Sequence, residues 1–212
     1  EPVFQQILLR GDILLAGAML GPEAAGFLAI AKAAGELLLI IPESVTTPLM
    51  KRLLGQSDNI AQWIPRAPRL TLALMFGAAG APALLGHWLI GLLFGKDFLP
   101  AYPAMLAMLP GVIALCHASI LRFDLLGKGL PGRVTLLTAL MMVIGLSLAI
   151  WLIPHYGMTG AAAASSVAFV IGSMVLLALY SRHGGVAWYR TLVLTPADIR
   201  LILGHLRKGP RS

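Results

Sequence analysis

Six apolar stretches, each long enough to cross a bilayer, take up most of the 212 residues. Residues 70–95, 98–121, 134–154 and 157–181 contain no Asp, Glu, Lys or Arg. A helix rises about 1.5 Å per residue and the hydrocarbon core is about 30 Å thick, so roughly 20 apolar residues suffice to span it. Lipid is therefore the solvent in which this chain is expected to fold. The rare ionisable residues inside the stretches become the places where function should be sought.

Composition agrees. Charged residues make up 12% of the chain and hydrophobic ones 58%. A soluble domain carries about 25% charged residues, so an ordinary globular surface is excluded. A net charge of +7 could suggest nucleic acid, but the basic residues sit in short loops between apolar runs, which points to a membrane surface and not to a nucleic-acid partner. The single cysteine, Cys116, lies in an apolar run, excludes an intramolecular disulfide and any multi-cysteine metal site, and reads as a packed residue.

The pattern predicts an all-α, polytopic membrane protein with spans at about 3–21, 24–49, 70–94, 99–121, 134–154 and 158–180. The six-helix lobe would cover 1–183, and 184–212 would form a cytoplasmic tail. Links at 21–24, 95–98 and 154–157 are short and carry one basic residue, Lys96. The opposite side holds thirteen, including Lys51, Arg52, Arg66, Arg69, Arg122, Lys128, Arg133 and Arg182. Positive charge collects on the cytoplasmic side, so both ends of the lobe are expected there. In the tail, Trp188 and Tyr189 suit the headgroup layer. Thr195-Pro196-Ala197-Asp198 opens an amphipathic helix with Ile199, Ile202, Leu203 and Leu206 on one face, as expected of a helix lying on the membrane. The chain opens on Glu1, not Met, which reads as a start inside a longer protein.

The first two spans hold five ionisable residues: Arg10, Asp12, Lys32, Glu36 and Glu43. A lone charge at mid-membrane costs roughly 2.5–3.5 kcal/mol on insertion scales, so such groups pair, face the bundle interior or line a wet cavity. Lys32, Glu36 and Glu43 fall within a stripe roughly 60° wide, and Lys32 can pair with Glu36 one turn away. Arg10 and Asp12 point to nearly opposite sides. The two helices must be antiparallel neighbours, and an Arg10–Glu43 or Arg10–Glu36 pair is expected, with Asp12 left without an obvious local partner. Two readings stand at this point: the charges staple two helices together, or they line a hydrophilic cavity that contacts an anion or takes part in ion coupling.

Other signals are thinner. His87 and His117 lack a spaced second ligand and read as packed histidines. Arg122 and Asp124 read as a snorkelling pair at a helix end. Pro42, Pro48, Pro82, Pro103 and Pro110 interrupt backbone hydrogen bonds, and Gly160-Ala161-Ala162-Ala163-Ala164-Ser165-Ser166 gives the last span a small-residue face for close packing. The chain carries no Walker loop, zinc-protease pair or Gly-x-Ser-x-Gly elbow, and neither an enzyme nor a cofactor is expected.

An ordered set of residues carries a resemblance: Arg10-x-Asp12, Gly17, Leu20-Gly21, Gly26-Phe27 and Ala29, then Pro42 and Pro48, then Gly95-Lys96-Asp97-Phe98 with Pro100-Ala101. Last comes Leu152-Ile153-Pro154-His155-Tyr156-Gly157-Met158-Thr159-Gly160-Ala161-Ala162. With these the chain resembles the C-terminal half of a bacterial polysaccharide or oligosaccharide flippase, of the multidrug/oligosaccharidyl-lipid/polysaccharide exporter superfamily. The resemblance implies one six-transmembrane-helix lobe of a two-lobed transporter in the bacterial inner membrane. Its cargo would be an undecaprenyl-diphosphate-linked oligosaccharide, moved by alternating access. It also implies that Arg10 and Asp12 face the central cavity, and that the chain works with an N-terminal lobe or a second copy. A cation-coupled multidrug exporter of the same superfamily, or a non-transporting subunit of envelope polysaccharide assembly, are the alternatives.

Overall fold

In the computed structural model the described residues are 2–54, 67–127, 129 and 131–184, and among them every regular element is a helix. Helix α1 runs Pro2–Leu20, α2 Pro22–Leu54, α3 Ala67–Leu93, α4 Ala101–Gly127 and α5 Pro131–Gly184, with a 3₁₀ turn at Lys96–Phe98. Proline opens α1, α2 and α5, where its missing N–H would have had no helical partner and its fixed φ is already helical. The expected tail helix over 195–206 lies outside the described residues, as do Trp188 and Tyr189.

α5 is two limbs, not one rod. Gly157 breaks it with φ 59° and ψ −141°, a conformation in which a Cβ would be strained. The limbs 131–156 and 158–184 fold back on one another, so that a Cβ on Gly145 would lie 3.2 Å from Ala168 Cβ of the other limb. The expected spans at 134–154 and 158–180 meet at this break.

Among the described residues, three helices are long and apolar enough to cross a membrane by length and composition: Thr71–Leu93, Ala101–Arg122 and the interrupted run Pro131–Arg182. α1 and α2, which contain Arg10, Asp12, Lys32 and Glu36, are not among them.

α4 is the centre of the bundle. It packs most extensively on α5 and also against α2 and α3, while α1 fills the space between α2 and α5. Met105, Met108, Leu109, Val112 and Cys116 of α4 are buried in one core with Ala16, Leu28, Ala31, Met75, Ala164 and Phe169. Small residues let the backbones approach. At Gly111 α4 comes close to the α5 backbone, since a Cβ there would lie 2.4 Å from Ser166 Cα. Tyr102 donates to the Ala83 carbonyl at 2.7 Å and ties α4 to α3 one residue beyond Pro82.

The turns after α1 and α3 and the break in α5 lie at one end of the bundle. Phe27 and Phe98 meet edge-on with centroids 5.6 Å apart, and Leu20 Cδ1 lies 3.9 Å from where a Cβ on Gly157 would sit. Trp88, Phe94, Trp151 and Tyr156 are exposed near the same end. The rest of the outward surface is apolar too, with Leu14, Leu84, Leu93 and Leu136 each at least 70% exposed. A water-soluble bundle would turn polar residues outward; this one turns leucine outward, as a bundle solvated by lipid does.

Candidate functional site

The α-helical period decides which charge goes inside. Asp12 and Ala16 are four residues apart on one face of α1, and both are buried. Arg10, two residues from Asp12, falls on the other face and is exposed. On α2 the same period buries Leu28, Ala31, Lys32 and Gly35 against the core and leaves Glu36 half-buried.

Asp12 and Lys32 form a direct ion pair, 3% and 2% exposed. Asp12 Oδ1 accepts from Lys32 Nζ and from the Ile13 N–H at 2.9 Å, and Oδ2 accepts the Ser165 hydroxyl at 2.5 Å. The carboxylate is thus held by three donors from three helical segments: α1 itself, α2 and the second limb of α5. Burying a charge is costly unless it is paired and its remaining lone pairs are hydrogen-bonded, and both conditions hold here.

The three residues meet at one depth. Asp12 lies nine residues before the Gly21 turn, Lys32 eleven after it and Ser165 eight after the Gly157 break. At 1.5 Å per residue these are about 14, 16 and 12 Å from that end of the bundle. A hydrocarbon core of about 30 Å would place all three near its middle.

Two expectations are corrected. Asp12 does have a partner, and it is Lys32, twenty residues away. Lys32 in turn pairs with Asp12, and no Lys32–Glu36 or Arg10–Glu36 ion pair occurs among the described residues. The reason is geometric. Two antiparallel helices joined by a turn of one glycine bring residues at similar distance from that turn face to face, so Lys32 on the buried side of α2 meets Asp12 while Glu36, one turn further along, is half-buried. Glu36 still attracts Lys32 and Arg10 still repels it through space. The side chains of Glu43 and Asp124 are not among those described, and with them the expected Arg10–Glu43 and Arg122–Asp124 pairs.

Sequence reasoning passed over Ser165, reading it only as part of a small-residue face. Its neighbour Ser166 is also engaged, accepting the Gly111 N–H of α4 at 2.8 Å. Two adjacent serines in an alanine run were the available signal, because serine matches alanine in size while adding a hydrogen bond.

The histidines sit apart from this cluster. His87 is exposed and meets Tyr102 edge-on at 5.6 Å, and His117 is buried with Nδ1 3.4 Å from Ser173 Oγ. No group of three His, Cys, Asp or Glu side chains that could hold a metal occurs among the described residues.

No protein-family profile, curated protein or solved structure matches the chain. The chemistry of the cluster therefore rests on its own geometry: a buried, hydrogen-bonded ion pair, with an exposed guanidinium at Arg10 on α1 and a half-buried carboxylate at Glu36 on α2.

Proposed function

We propose that this chain is one lobe of an inner-membrane transporter, with six spans and both ends cytoplasmic, that carries a lipid-linked oligosaccharide from the inner to the outer leaflet. The observation that supports it best is the position of Arg10. It is exposed, and it lies eleven residues from the Gly21 turn, about 16 Å along the helix. An exposed guanidinium at that depth is expensive against hydrocarbon. The α1–α2 surface around Arg10 and Glu36 is better served by water or a second polypeptide, as it would be if it lined a cavity between two lobes. A cationic group there suits a diphosphate, since guanidinium and phosphate form paired, charge-assisted hydrogen bonds.

The count of six spans follows if α1 and α2 cross as a hairpin held by the Asp12–Lys32 pair. Each charge alone opposes insertion, whereas the neutralised pair removes most of that cost.

A second reading, a non-transporting membrane subunit, draws support from the three hydrogen bonds that Asp12 accepts. A carboxylate that already holds three donors acts as a staple between helices. The cation-coupled exporter reading would instead require transport of a small cationic dye to depend on Asp12 and Glu36.

The test uses the full-length protein in a strain lacking its own flippase, with Arg10→Ala and Glu36→Gln at equal membrane abundance. Loss of surface polysaccharide with build-up of lipid-linked precursor in the inner leaflet is the expected result. Normal surface polysaccharide from both variants would overturn the cavity assignment.

A further inference from the structure

The adjacent serines of α5 grip two different helices. Neighbouring residues on a helix point about 100° apart. Ser165 accordingly reaches α1 and donates to Asp12, while Ser166 reaches α4 and accepts the Gly111 N–H. Gly111 follows Pro110, which has no N–H to give to Leu106 and whose ring crowds that carbonyl, so the α4 ladder is weakest there. The contact is tight as well as polar, because a Cβ on Gly111 would fall 2.4 Å from Ser166 Cα and 2.8 Å from its Oγ. An unbroken series of bonds therefore runs from Lys32 to Asp12, to Ser165, along one peptide unit to Ser166, and on to the proline-weakened turn of α4.

We propose that the Ser165-Ser166 pair is a mechanical coupler, through which the state of the Asp12–Lys32 ion pair sets the packing of α4 at Pro110-Gly111. When Lys32 is drawn from Asp12 by a competing anion, the carboxylate re-orients and releases or drags Ser165. Ser166 is rigidly joined to Ser165 by the helix, so it shifts against Gly111, and α4 loses its support at the turn where its own ladder is incomplete. This rests on the transporter reading only for the identity of the anion; the coupling itself is a property of the fold.

Cys116 supplies an internal reporter. It lies on α4 five residues beyond Gly111, is fully buried and belongs to the core that α4 shares with Ala161, Ala164 and Phe169. Loosening of α4 against α5 should uncover it.

The experiment measures the rate at which N-ethylmaleimide labels Cys116 in membranes, in the full-length protein with Cys116 as its single cysteine and without substrate. The variants are Asp12→Asn, Ser165→Ala, Ser166→Ala and the double Asp12→Asn/Ser166→Ala. Each single change is expected to raise labelling several-fold, and the double change to label no faster than the faster of its two parents, because residues in one network do not act independently. Labelling in the double variant equal to the product of the two separate increases would overturn the coupling, as would a Ser165→Ala variant that labels at the parental rate. If Asp12→Asn fails to accumulate, Ser165→Ala with Ser166→Ala forms the same cycle without removing a charge. Labelling needs no transport. A protein that labels as expected but moves no glycan keeps the coupler and loses the transporter reading. One that moves glycan but labels independently loses only the coupler.

Discussion

Lys32 and Asp12 stand twenty residues apart in the chain and share one buried ion pair, placed so that α1, α2 and the second limb of α5 all close on it. Removing one partner leaves the other charged and buried, which is worth about 3–5 kcal/mol. Asp12→Asn or Lys32→Met should each lower thermal stability in detergent by that order. The reversed pair, Asp12→Lys with Lys32→Asp, should recover part of the loss, restoring the attraction between α1 and α2 but not the bonds that the Asp12 carboxylate accepts from Ile13 and Ser165. Equal damage from the reversal and from the single changes would show that the pair is not what holds these helices.

The approach of α4 to α5 allows a sharper contrast between glycines. Gly111→Ala would drive a Cβ into the Ser166 backbone, and overpacking of this kind costs about 1–3 kcal/mol. Gly77→Ala and Gly80→Ala on α3 would meet nothing within 4 Å, and should leave stability unchanged or raise it by about 0.5–1 kcal/mol through helix propensity. Unfolding midpoints of the three variants, measured side by side, check the prediction.

Gly157 tests the break in α5. With φ at 59° and ψ at −141°, any side chain there is strained at about 1–3 kcal/mol. Gly157→Ala should destabilise the fold by that amount. A neutral substitution would mean that the two limbs can join differently.

The exposed aromatics at the turn end predict how the bundle sits in lipid. Trp88 and Trp151 are 64% and 65% exposed within two turns of Gly95 and Gly157. Indole rings collect at the headgroup layer. In variants that keep Trp88 or Trp151 as the lone tryptophan, lipids brominated near the glycerol should quench fluorescence more strongly than lipids brominated near the chain terminus. The reverse order would move this end of the bundle to the bilayer centre.

Much of the fold was legible from local pattern. Helix type followed from apolar runs, and the short links expected at 21–24, 95–98 and 154–157 contain the glycines Gly21, Gly95 and Gly157 at which the helices turn, because such constraints act within a turn or two of the residue that imposes them. The candidate site was legible only in part. Arg10, Asp12, Lys32 and Glu36 stood out as charges in apolar surroundings, since the cost of burying a charge depends on the residue and its depth.

The sequence by itself determined that the chain is helical, that its outward surface suits lipid, and that α1 and α2 must reconcile several charges. Tertiary structure alone decided how they are reconciled: Asp12 with Lys32 and Ser165 inside, Arg10 outside. Intrahelical spacing favours Lys32–Glu36 as readily as any other pair. The choice falls to Asp12 because the one-glycine turn sets α1 and α2 at matching depth, and because the break at Gly157 returns Ser165, 153 residues away in sequence, to the same level. Such long-range registration is a sum of many packing contacts, and no single stretch of sequence contains it.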